Sequence, residues 1–239
     1  MPPKCLFDGS VRPDKLVMPA CDECNGGTST ADLTAAVVSR WDYNSPPQER
    51  SDHARLAAQV RRQAPELIAE WTKTMSPNER KGAKLHLIKY GVPVPPDAAL
   101  LTVGPITIRQ LNLFAHKVVL ALFFEHFKKP VPNTGRISAY WKTKEDFARD
   151  GIPQVLLDML PKYGTLLQGK WNERETFEYR YAVNDEDGLF GCLARLRRGL
   201  FITGFAVTDA GILPPDETDW IVPSDLLGSL DTLRFQKKL

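Results

Sequence analysis

The 239 residues are 43% hydrophobic and 25% charged, the composition of an ordinary globular chain that is long enough for one large or two small domains and a sizeable core. A net charge of +2 is too small to require nucleic acid or an acidic membrane as partner, although it leaves room for a local basic patch. No stretch approaches the roughly 18 consecutive apolar residues of a membrane span, and the N-terminus lacks the basic and apolar regions of a signal peptide, so the sequence predicts a cytoplasmic protein.

Four cysteines are a poor disulfide framework for a chain of this length in a reducing compartment, which leaves metal binding or redox chemistry. Cys21 and Cys24 form a Cys-x-x-Cys pair followed by Asn25-Gly26-Gly27. A redox pair needs a helix opening at the first cysteine to lower its pKa, and this run of asparagine and glycines breaks a helix. A Cys-x-x-Cys turn followed by glycines instead has the shape of a zinc knuckle, in which both thiolates point at one ion. Zinc takes four ligands, and no second pair stands nearby. Cys5 could supply a third thiolate, but a lone cysteine is more often a small buried hydrophobe; Cys192 lies far off in a strand-like run.

The stretches PPKCLF (residues 2–7) and RPDKLVMPACDECNGGTSTAD (residues 12–32) together resemble the N-terminal module of a divergent group of HNH endonucleases. In that group a first Cys-x-x-Cys precedes a segment reading roughly Glu-His-Val-Pro-Pro-Lys, and an apolar strand then leads to a Pro-Ala-Cys-x-x-Cys-Asn turn. The resemblance is tight over residues 2 to 32 and weak beyond them. It implies a ββα-metal module in which Cys21 and Cys24 hold half of a structural zinc site. It further implies Mg²⁺ or Mn²⁺ as the catalytic ion, with a histidine activating water while the metal stabilises charge on the scissile phosphate. Pro2-Pro3-Lys4 aligns with the family's Pro-Pro-Lys and Met1 with the valine before it, so the resemblance places the base and the first cysteine pair before residue 1. A misassigned start codon or a gene remnant would each produce this, and the chain as it stands is expected to be inactive.

Within the module, Asn25 matches the family's central asparagine, which orients the base; its alternative reading is a left-handed turn residue beside glycines. Asp32 falls in the first turn of the next helix, with Thr30 as candidate N-cap. There Asp32 either faces the catalytic metal or simply favours the helix dipole, as first-turn acids commonly do.

Downstream, ADLTAAVVSRW reads as the helix that closes the module, and DYNSPPQERSD as a polar linker. An amphipathic helix is expected over residues 52–75, with Leu56, Val60, Leu67, Ile68 and Trp71 near one stripe. The proline-rich stretch 91–105 reads as a loop. Residues 107–129 form a long helix apolar on nearly every side, the central element of a core. His116 and Glu125-His126 lie on it, and ten residues of separation put the two histidines about 80° apart and about 15 Å along the axis. They cannot share a metal, and each reads as a core or rim histidine.

The period then changes. Phe177, Tyr179 and Tyr181 alternate with Glu178 and Arg180, and two further apolar runs flank the short turn at 197–199, which predicts an antiparallel hairpin sheet. Arg195 and Arg197 share one strand face, with Arg198 at the turn; they read either as contacts to a phosphate backbone or as a solvated sheet face. Residues 209–239 read as a loosely held tail.

The expected fold is therefore α+β: a partial HNH-like zinc-knuckle module over residues 1–43, then a mainly helical body with a C-terminal antiparallel sheet over 52–239. The expected function is that of an HNH-endonuclease-like protein acting on nucleic acid; the alternative is a non-catalytic nucleic-acid-binding or interaction protein that keeps a vestigial knuckle. Two thiolates are half of a structural zinc site, so elemental analysis of the purified chain should find zinc bound weakly or not at all. One tightly held zinc per chain would instead point to Cys5 or to a site shared between two copies.

Overall fold

The structure, a computed structural model, describes residues 4–7, 18, 26–41, 47–92, 94–95, 99–152, 154–165, 167–168, 171–172, 176–213 and 219–227. A short 3₁₀ turn, Lys4–Leu6, precedes helix α1, Ser29–Val38, which is buried without interruption from Ala31 to Val38. Its N-cap position is Thr28 rather than Thr30, and it carries no side-chain cap. The amphipathic stretch expected over 52–75 forms two helices, α2 (Pro47–Gln63) and α3 (Pro65–Trp71). The break falls at Pro65, which clashes with a preceding turn and suits only the first position of a new helix. Leu56, Val60, Leu67 and Trp71 are buried as the stripe requires, and Ile68 is half-buried.

Helix α4, Pro77–Lys89, buries none of its residues. Local sequence alone defines it, through Pro77 at the first position and a capping box in which Ser76 and Glu79 satisfy each other's backbone N–H. The long apolar helix is α5, Pro105–Phe127.

The sheet begins with β1, Arg136–Thr143, and two short helices follow, α6 (Lys144–Asp150) and α7 (Gln154–Met159). Then come β2 (Lys162–Thr165), the small hairpin β3 (Leu167–Gln168) and β4 (Trp171–Asn172), and β5 (Phe177–Asn184), β6 (Leu189–Leu196) and β7 (Leu200–Val207). Five strands pair in the order β1-β7-β6-β5-β2, every neighbour antiparallel. Helices and an antiparallel sheet in one chain match the α+β expectation, and β5 to β7 form the expected hairpins.

One face of the sheet carries α5. Register aligns Ala139, Gly204 and Cys192 across β1, β7 and β6, a row of small side chains on which the helix can settle. A Cβ at Gly204 would lie 2.1 Å from the Val119 side chain of α5, so any larger residue there would push the helix off the sheet. Phe177, Tyr179 and Phe190 fill the same face. On the opposite face Phe147 of α6 meets Phe201 edge-on with centroids 4.5 Å apart, and the α7 carbonyl of Leu157 accepts from Arg180.

The expected loose tail is not loose where it is described. Ile221 pairs through its backbone with Ile137 at the free edge of β1 and is buried, as is Leu226. An open sheet edge is a liability, and this bridge covers part of it.

The linker lies partly at 42–46, outside the described residues, but the core runs across it. Leu6, Phe7 and α1 belong to the same hydrophobic cluster as α2, α3, α5 and the sheet. The β6–β7 turn is fastened to this N-terminal part: Gly199 N–H donates to Ser39 O at 3.0 Å, and a Cβ on Gly199 would sit 2.6 Å from Val38 O. Deleting residues 1–44 should therefore abolish the cooperative thermal transition followed by circular dichroism, because it strips one wall from a shared core. A sharp transition retained by 45–239 would mark the body as an independent unit.

Candidate nucleic-acid interface

Cys21, Cys24 and Asn25, the residues that carry the HNH resemblance, lie outside the described residues. Asp32 does not. Its carboxylate accepts from Lys117 Nζ through both oxygens, at 2.7 and 2.6 Å, and Lys117 also donates to Thr28 Oγ1 at 2.7 Å. Asp32 and Lys117 are both buried. Burial raises the Asp32 pKa, and the Lys117 charge and hydrogen bond oppose that rise. The carboxylate is thus engaged in a buried ion pair between α1 and α5.

Cys5 is half-buried beside α1. Burial, with Asp32 nearby, pushes its pKa up to about 11, and its Sγ–H donates to Asp32 O at 3.6 Å. Cys192 is fully buried, and burial pushes its pKa up to about 12. Among the described residues no group of three or more His, Cys, Asp or Glu side chains is arranged to hold a metal ion.

The histidines of α5 occupy core and rim positions. His116 is buried, donates through Nδ1 to Asn112 O at 2.8 Å, and has its pKa lowered by burial. His126 stacks on Tyr181 with centroids 3.9 Å apart and lies 3.3 Å from the Tyr179 hydroxyl.

The three arginines expected to form a basic face do not do so together. Arg195 pairs with Glu178, its cross-strand neighbour, at 2.7 Å. Arg197 takes a left-handed backbone conformation with φ 50° and folds inward to 3% exposure. Its guanidinium donates to Leu6 O and to Glu49 Oε1, the latter at 3.0 Å. It therefore clamps the N-terminal turn and α2 to the hairpin. Of the three, Arg198 alone is exposed.

The basic surface lies instead on α4. Arg80, Lys81 and Lys89 are exposed on it and Lys84 is half-exposed, against the single acid Glu79. At 100° per residue, Arg80, Lys81 and Lys84 fall within one third of the helix circumference. With Thr74, Met75, Pro77 and Leu85 they line an open groove, and Leu85 and Ile88 beside them are each 57% exposed. The four cations of α4 exceed its acid by three, more than the net charge of the whole chain. Sequence periodicity misses this helix because nothing in it is buried. The Ser76-Pro77-x-Glu79 capping signature was the available signal.

No known protein family, curated protein or solved structure matches this chain.

If Asp32 serves the ion pair, Asp32→Asn and Lys117→Met should each cost about 3–5 kcal/mol in urea unfolding, because each strands a buried charge or donor. The double variant, which removes both charges at similar volume, should recover most of that stability. An Asp32→Asn protein of unchanged stability would free the carboxylate for another role.

Proposed function

We propose that this chain is an HNH-endonuclease-like protein that binds nucleic acid, and that it grips the phosphate backbone through α4. The observation that carries the reading is the solvated helix itself: four cations on an element with no part in the core, three of them, Arg80, Lys81 and Lys84, grouped so that side chains about one turn apart can meet successive phosphates. The Pro-Ala-Cys-Asp-Glu-Cys-Asn run at 19–25 supports the same partner class independently, through its resemblance to HNH enzymes. That run is also what favours the second reading, hydrolysis with Mg²⁺ or Mn²⁺. For the residues described, the engagement of Asp32 by Lys117 favours binding over cutting.

The test is fluorescence anisotropy of a labelled 20-base-pair duplex across a salt series. The triple variant Arg80→Glu, Lys81→Glu, Lys89→Glu should weaken binding at least about tenfold and lower the slope of log K against log salt by about 0.9 for each phosphate left unneutralised. Arg198→Ala should change little. Equal binding by wild type and triple variant would remove α4 from the interface, and absence of binding at low salt would end the nucleic-acid reading. Metal-dependent cleavage of the same duplex would establish the second reading.

A further inference from the structure

A cavity of about 460 Å³ opens between α2, the C-terminal end of α4, the described loop residues 92, 94–95 and 99–103, and the start of α6. This lies within the range of small-molecule sites and equals about fifteen water volumes of about 30 Å³ each. The wall from α4 and the loop is aliphatic: Leu87, Val92, Val94, Leu100 and Val103. The wall from the turn after α1 and from α2 is polar and carries Arg40, Trp41, Arg50 and His53, with Glu145 of α6 as the one acid among the described lining residues.

Two guanidiniums against one carboxylate leave the described lining residues a single positive charge. Burial, and then the Arg40 charge, hold the His53 pKa below its ordinary value, so its imidazole is neutral near pH 7. Arg40 is buried and its guanidinium donates to Ala36 O and Leu6 O; it contributes a fixed field rather than a mobile hand. Arg50 is exposed at the mouth. Two of these lining residues also carry a hydrogen-bonding nitrogen, Trp41 Nε1 and His53 Nε2, that is buried behind the wall with no partner among the described residues. A polar atom taken out of water without a new partner destabilises the fold, and functional pockets are where such a penalty is tolerated.

We propose that this cavity binds an amphipathic monocarboxylate, with the carboxylate at Arg50 within the field of Arg40 and the hydrocarbon body against Leu87, Val92, Val94, Leu100 and Val103. A single anionic head matches the single excess positive charge of the described lining residues. A guanidinium is the side chain best shaped to take a carboxylate, and the aliphatic wall gives the tail its burial. The site shares no cation with the outer face of α4 and stands independently of the nucleic-acid reading.

Isothermal titration of the purified chain with octanoate, set against 1-octanol, tests both halves of the site. Octanoate should bind one to one and 1-octanol about tenfold more weakly. Arg50→Gln should bring octanoate down to the alcohol's level, and Ala99→Trp, a bulky side chain at an exposed lining position, should abolish binding of both with the thermal midpoint unchanged. The Trp41 indole N–H resonance, assigned by its disappearance in Trp41→Phe, should shift on addition of octanoate; this reads the site in the wild type even if Ala99→Trp misfolds. Equal affinity for acid and alcohol, no binding of either, or a Trp41 resonance that stays in place would each overturn the proposal.

Discussion

The seating of α5 on the sheet at Gly204 is the contact on which the rest of the fold depends. A helix apolar on nearly every side has to be covered on nearly every side, and the small-residue row Ala139–Gly204–Cys192 lets one face approach the strands closely while α1 and α3 close over the other. The few polar residues of α5 are then placed where they fix its neighbours. Thr107 accepts from Trp71 of α3, and with Ile106 it gives its backbone N–H to Glu70. Asn112 accepts from Trp141 of β1, Lys117 holds Asp32 of α1, and His126 stacks on Tyr181 of β5. Each tether reaches a different element, so the helix fixes the relative position of all four.

The Glu70 carboxylate shows how such a tether is stabilised. Burial alone would raise its pKa, and the hydrogen bonds from Thr107 and Ile106 outweigh burial and lower it. A carboxylate at the N-terminus of a 23-residue helix also meets the positive end of the helix dipole. It satisfies backbone donors that the capless N-terminus at Gly104 leaves open.

What the sequence made legible follows the same logic. The central helix, the face of Phe177, Tyr179 and Tyr181, and the hairpin at 197–199 were readable because burial stamps a period on the residues that undergo it. Strand β1 was not, since it reads Arg-Ile-Ser-Ala-Tyr-Trp-Lys-Thr and is defined by pairing with β7, whose first residue Leu200 aligns with Thr143 fifty-seven positions earlier. The bridge at Ile221 depends on the same strand and was hidden with it. Arg197 was misleading for a related reason: strand alternation assigns it a face, but its left-handed φ at the turn redirects the side chain into the N-terminal part of the core.

Helix α4 joins the two candidate binding surfaces without belonging to the core. Leu87 and the adjoining Val92 line the aliphatic cavity near the end of the helix, while Arg80 and Lys81 are exposed at its start. An element with no buried residue has little packing energy to resist a shift, since what holds it is its capping box and partial cover from its neighbours. A ligand that settles against Leu87 therefore stabilises one placement of the whole helix, cations included. Linkage makes that influence mutual: whatever factor an occupant of the cavity applies to polyanion binding, the polyanion applies to the occupant. The size of that factor is bounded by how differently the ligand contacts the helix in its available positions, and Leu87 is where that difference is made.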